Sequence, residues 1–113
     1  LPRPQRTLIQ RGDIWDATIP GVGVHPVVIV TRDTAIPILS SLVCVLITST
    51  HRSHVAEVSL GREHGLAHES AANCDNVFTL PIGVLSRRRG RLPPFKLAEL
   101  DTALTIALGL DRS

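Results

Sequence analysis

The sequence predicts a mainly β domain with α: a small antiparallel sheet, curled into a partial barrel and closed by a C-terminal amphipathic helix. Three observations carry this. Short β-branched or alternating runs fill the chain up to residue 82, each bounded by Gly, Pro, Asn, Asp or Ser. Only one stretch, beginning at Pro93-Pro94, repeats apolar residues at three- and four-residue spacing. The chain has 113 residues, 43% hydrophobic and 19% charged, enough for one core, and no linker, repeat or low-complexity segment divides it.

Residues 1–10 are Pro-, Arg- and Gln-rich with few hydrophobes and are expected to form a flexible arm; residues 11–113 make the domain. From Gly12, Ile14, Asp16 and Thr18 alternate with Trp15, Ala17 and Ile19, a strand with polar residues on one side. Pro20-Gly21-Val22-Gly23 is a turn. Pro26–Val30 is apolar on both faces, as a central buried strand is, and Leu42–Ile47 is a second such run ending in Thr48, Ser49, Thr50, His51 and Arg52. Val55, Glu57 and Ser59 alternate with Ala56, Val58 and Leu60 in a half-exposed strand before the Gly61–Glu69 loop. Ser70–Asp75 is expected to be a short strand and Val77–Ile82 another. In the helix Leu97, Leu100, Ala103, Leu104, Ala107 and Leu108 form the stripe, Pro94 suits the first turn and Gly109 the C-terminal cap.

No run approaches the ~18 apolar residues of a membrane span. Arg3, Arg6 and Arg11 are not followed by the apolar block of a secretory leader. A cytoplasmic protein without membrane association is therefore expected, with Cys44 and Cys74 as reduced, buried thiols. The cysteines match no zinc spacing, and the pairs His51/His54 and His64/His68 fall where strand or loop geometry would not make them converge, so no metal and no cofactor are expected. Twelve basic residues face ten acidic ones, and 11 of the twelve are Arg, the side chain suited to bidentate phosphate contacts. The aromatics are only Trp15, Phe78 and Phe95, too few for a base-stacking platform. Any nucleic acid would have to be held by polar and cationic groups in a groove.

The order of motifs is similar to one family. Arg11-Gly12-Asp13-Ile14-Trp15 resembles the first strand of the MazF/PemK toxins, and Pro26–Val30 with Arg32-Asp33 resembles their second. Leu46-Ile47-Thr48-Ser49-Thr50 with Arg52, Ser70 and Cys74-Asp75-Asn76 with Thr79, Gly90-Arg91-Leu92, and Ala103-Leu104 with Leu108-Gly109-Leu110 follow in the family's order. The resemblance implies an SH3-like barrel, a homodimer, a cognate antitoxin, and metal-free cleavage of single-stranded RNA at short preferred sequences. Two positions depart from the pattern: His25 stands where the family has its catalytic Arg, and Phe78 where it has another Arg. The first loop, Pro20–Val24, is also short.

Metal-free RNA cleavage needs a base for the 2′-OH, an acid for the 5′-oxygen and donors for the phosphorane charge. His25, at a strand start beside a turn, can carry a proton in either direction, since imidazole titrates near neutrality. With the resemblance, Thr48, Arg52 and Asp75 complete the expected catalytic set, as phosphate donor, permanent cation, and orienting group or proton acceptor. Ser49, Thr50, Asn76, Arg87 and Arg89 are the expected RNA-binding residues. Each also has an ordinary reading: a strand end for Thr48-Ser49-Thr50, a turn for Asp75-Asn76, a solvated charge for Arg52, and a charged edge strand that resists aggregation for Arg87–Arg91. An acidic, disordered antitoxin segment is expected to cover the His25/Thr48/Arg52 cleft. Two alternatives are a CcdB-like toxin that poisons DNA gyrase and an RNA-binding relic without catalysis.

Overall fold

The computed structural model describes residues 8–49 and 54–112. Six strands and one helix follow in order: β1 (Asp13–Ile19), β2 (Gly23–Ile29), β3 (Ser41–Thr48), β4 (Glu57–Leu60), β5 (Ser70–Pro81), β6 (Leu85–Arg91) and α1 (Pro94–Ala107). They form one antiparallel sheet in the order β4-β5-β3-β2-β1-β6, curled into a half-barrel. The fold is therefore the one the sequence predicts.

The alternation read from β1 and β2 sets the two faces. Ile14, Val28 and Val45 point into one core with Ile47, Val58, Leu60 and Ala72, which α1 covers with Leu100 and Ala103. Trp15, Ala17, Val27, Ile29 and Cys44 point to the opposite face, closed by Ile36, Leu80, Ile82 and Leu85. Burying both faces is what the continuous apolar run of β2 requires. Leu100, fully buried, contributes about 2 kcal/mol by removal from water. Arg11 joins the start of β1 to its neighbours: its backbone N–H donates to Asp33 Oδ1 at 2.7 Å, its Nε to the Val30 carbonyl at 3.0 Å and its guanidinium to Asp101 of α1 at 2.7 Å. Of the expected arm, residues 1–7 lie outside the described part, and Ile9 packs into the second core beside Trp15.

Several boundaries differ from the sequence expectation. Ser70–Pro81 is one strand rather than two. Val45 pairs with Val77 but Leu46 with Asn73, so Cys74, Asp75 and Asn76 loop out as a bulge where a break is expected. The Cys74 N–H donates to the Ala56 carbonyl at 2.9 Å, which keeps the bulge attached on the β4 side. The strand expected from Val55 begins at Glu57, and Val55 is exposed. The helix starts at Pro94 and ends at Ala107, with Gly109 at φ +70° just beyond its C-cap Leu108. Of the expected stripe Leu100 and Ala103 are buried and Leu97, Leu104 and Ala107 half-buried, but Leu108, past the last turn, is exposed; Phe95 and Ile106 are exposed too, so apolar residues lie on both sides.

Candidate active site

The β2–β3 ladder ends at Val27–Leu46, two residues short of His25 and Thr48 along the two strands. A cavity of about 250 Å³ opens there, lined by Val24, His25, Pro26, Ile47, Thr48, Ser49, Leu66, Ala67, His68, Ser70 and Arg89. His25 and Thr48 are half-buried, whereas Ser49 and His68 are exposed. A second, more open cleft of about 680 Å³ shares Ser49 and His68 and adds Arg62 and Glu69.

The cation in this cavity is placed by an irregularity in β6. Ile14 pairs with Gly90 and Trp15 with Arg88, which leaves Arg89 as an extra residue between them. A bulge re-aims the side chain it carries. Arg89 thus turns inward while its neighbours stay at the edge: Nη1 lies 3.3 Å from Asp16 Oδ2, and Nε donates to the Gly65 carbonyl at 3.1 Å. Arg88 and Arg91 instead flank Asp13, with their Nε atoms at 3.5 and 3.0 Å from Oδ1. Asp13 is fully buried, and its Oδ2 accepts from the Gln10 N–H at 2.8 Å and more weakly from Trp15 Nε1 at 3.4 Å. Removing this carboxylate from water is tolerable because it is paired and hydrogen-bonded.

The adjoining wall is the loop between β4 and β5, which opens with a short 3-10 turn, Arg62–His64. His64 is buried and its Nδ1 accepts from the Gly61 N–H at 3.1 Å, a structural use of that ring. Gly65 holds φ +88°, and a Cβ there would strike the Arg89 carbonyl; a Cβ on Gly90 would lie 2.5 Å from the His64 carbonyl oxygen. Two facing glycines let the loop press against β6. Arg62 Nε donates to the Ala67 carbonyl at 3.2 Å and fixes the loop's return. The chain then delivers His68 and Ser70 to the cavity: His68 Nδ1 lies 3.0 Å from the Glu69 carbonyl oxygen and 3.4 Å from Ser70 Oγ.

Four residues singled out in the sequence therefore meet: His25, Thr48, Ser49 and Arg89. Thr50 and Arg52 lie outside the described residues. Asp75 and Asn76 sit exposed on the β5 bulge and do not line this cavity; Asn76 borders an apolar groove with Ile19, Val22, Leu46 and Phe78. Arg87 is exposed on β6, which is an edge strand. His68, Ser70 and the Asp16 anchor were not foreseen as site residues. Asp16 did belong to the polar side of β1, but nothing in the sequence ties it to Arg89 across 73 positions.

The thiols are unsuited to chemistry. Burial pushes Cys44 up to about 12, and burial, with Asp75 adding to it, pushes Cys74 up to about 11. Both are free and buried. Among the described residues no helix is long and apolar enough to cross a membrane.

Residues 10–108 match the family described as PemK-like, MazF-like toxin of type II toxin-antitoxin system. The chain is 35% identical over 102 residues to the probable endoribonuclease MazF2 of Mycobacterium tuberculosis, covering 89% of this chain and 99% of that protein. It is 35% identical over 105 residues to the probable endoribonuclease MazF5 of the same species, covering 90% and 94%. Among solved structures, Mycobacterium tuberculosis toxin MazF-mt6 superposes with a TM-score of 0.81 at 31% identity, over 86% of this chain and 96% of that one. A mycobacterial endoribonuclease in complex with its cognate antitoxin gives 0.81 at 29% identity, over 90% and 96%.

Proposed function

Because the chain belongs to the PemK-like, MazF-like toxins of type II toxin–antitoxin systems and is an endoribonuclease by that kinship, we propose that it cleaves single-stranded mRNA at short preferred sequences in the cavity between β2, β3 and the Gly61–Glu69 loop. The reaction runs through the ribose 2′-OH and leaves a 2′,3′-cyclic phosphate and a 5′-OH. The observation that carries this reading is the meeting of His25, Thr48 and Ser49 with an inward-turned Arg89 in one half-enclosed space. His25 transfers a proton, and the Thr48 and Ser49 hydroxyls donate to the non-bridging oxygens. Arg89 supplies the permanent charge that a phosphorane needs and that position 25 here lacks. A phosphate entering the cavity competes with Asp16 for that guanidinium. Arg52, four residues beyond Thr48, is a second cation in this proposal, Thr50 is a further RNA-binding residue, and Asp75, Asn76 and Arg87 serve RNA outside the cavity.

Val22, Val24 and Val43 are exposed near the Ile19/Val22/Leu46/Phe78 groove, apolar surface that a homodimer would cover. The solved mycobacterial endoribonuclease bound to its antitoxin supports an antitoxin partner here, whose acidic, disordered segment would seek the same cations as RNA. A cytoplasmic site of action follows from an mRNA substrate.

Incubation with a long single-stranded transcript in EDTA, followed by mapping of both ends, tests the reading. Discrete fragments with cyclic-phosphate and 5′-OH termini are expected. Intact RNA that stays bound would instead identify a relic, and intact, unbound RNA with poisoned gyrase a CcdB-like toxin.

A further inference from the structure

We propose that His68 is the general base of the cleavage step and His25 its acid partner, an assignment that rests on the ribonuclease reading of the cavity. The two imidazoles stand on different walls, His25 on β2 and His68 on the Gly61–Glu69 loop, and both line the same space. An in-line displacement puts the 2′-oxygen and the 5′-oxygen on opposite sides of phosphorus, so its two proton transfers need groups approaching from different sides.

The surroundings of His68 fix which nitrogen is available. A carbonyl oxygen can only accept, so Nδ1, 3.0 Å from the Glu69 carbonyl, carries the proton of the neutral ring. Ser70 Oγ gives its own hydrogen to the His68 carbonyl at 3.0 Å, leaving its oxygen to accept a share of that N–H. The lone pair is thereby placed on Nε2, which has no protein partner among the described residues. This is the tautomer a base requires, held by its own backbone. The ring also borders both clefts together with Ser49, so a scissile phosphate at their junction has a nucleotide's space on either side. The charged and titratable groups facing His68 are His25 and Arg89 from the first cavity and Arg62 and Glu69 from the second.

In the step, His68 Nε2 takes the 2′-OH proton as the 2′-oxygen bonds to phosphorus. The P–O5′ bond breaks, and protonated His25 gives its proton to the departing 5′-oxygen. The chain ends as 2′,3′-cyclic phosphate and 5′-OH, with no net proton change, and water restores both rings.

The test uses an oligonucleotide spanning a cleavage site mapped in the long transcript, and its counterpart with sulfur replacing the bridging 5′-oxygen, a leaving group that needs no acid. His68→Ala and His25→Ala should each cut the oxygen substrate about 10²-fold slower. His68→Ala should lose the rise in rate with pH, and stay slow on the sulfur substrate, while His25→Ala should be restored on it. Thermal melts check that His68→Ala, a change on an exposed loop residue, leaves the fold intact. Wild-type rate and pH profile in His68→Ala would overturn the proposal and leave the ribonuclease reading standing. Rescue of His68→Ala by sulfur would overturn its assignment as base. A wild-type protein that cuts no RNA would sink both.

Discussion

Arg89 gives its Nε–H to the Gly65 carbonyl at 3.1 Å, and Gly65 in turn has no room for a β-carbon because the Arg89 carbonyl occupies that place. Each residue thus fixes the other: the loop that carries His68 is docked by the same contact that aims the cation.

Replacing Gly65 should therefore damage stability and activity together. Gly65→Ala meets both a left-handed φ and a backbone collision, and should cost about 2 kcal/mol or more in urea unfolding. Gly83→Ala, where nothing lies within 4 Å and φ is ordinary, is the control and should stay within about 0.5 kcal/mol. Equal midpoints for the two variants would refute the close approach.

Arg89 should matter more to rate than to folding. The side chains of Arg89 and Asp16 are only 23% and 14% exposed, and Arg89 also bonds the Gly65 carbonyl, so Arg89→Ala should lose about 2 kcal/mol of stability. RNA cleavage should fall about 10²-fold, because Arg89 is the only arginine or lysine among the described residues that line the cavity. Arg89→Lys keeps the charge but not the fork, and should recover only part of the rate. A wild-type rate in Arg89→Ala would move the essential cation to Arg52.

Asp13 tests the other half of the arginine cluster. Asp13→Asn removes the negative charge that Arg88 and Arg91 share, and its amide NH2 must face either an arginine or the Gln10 and Trp15 N–H donors. A loss of about 2–3 kcal/mol is expected, moderated because both arginines are partly in water. Measured kcat per folded molecule should change little, since Asp13 does not line the cavity.

Alkaline behaviour should expose the thiols. With Cys44 pushed up to about 12 and Cys74 to about 11, both stay protonated in the native chain where an unfolded thiol, at an ordinary 9.0, has ionised. Their contribution is whole below about pH 9 and is lost as pH climbs toward 11 and 12. Iodoacetamide at pH 8 should leave the folded protein unlabelled and modify both sites in urea. Fast labelling of the native chain at pH 8 would contradict their burial.

The sheet was legible because its alternation is regular: Ile14/Asp16 against Trp15/Ala17, and Ala56/Val58/Leu60 inward. Patterns of period two say nothing about extra residues, so the bulges at Cys74–Asn76 and Arg89 were not visible. Asp75-Asn76 has the composition of a turn, and the Ala56 carbonyl is what keeps it in the strand. In the site, Thr48 and Ser49 sit at a strand end that the sequence locates well, whereas His25, expected at the start of a strand beginning near Pro26, lies inside β2 and pairs with Ala17, because the strand already begins at Gly23. His68 lies in a loop whose path is set by two glycines meeting across the fold, a relation with no local signature.

A cation presented by a bulge is a property of strand length as much as of residue identity. Point substitutions at Arg89 exchange one side chain for another within an unchanged ladder. Removing one residue between Arg88 and Gly90 would instead remove this bulge and withdraw the inward position altogether, while Asp13 and Trp15 kept their pairings on either side. A three-nucleotide deletion should thus disarm the cavity and leave the barrel standing.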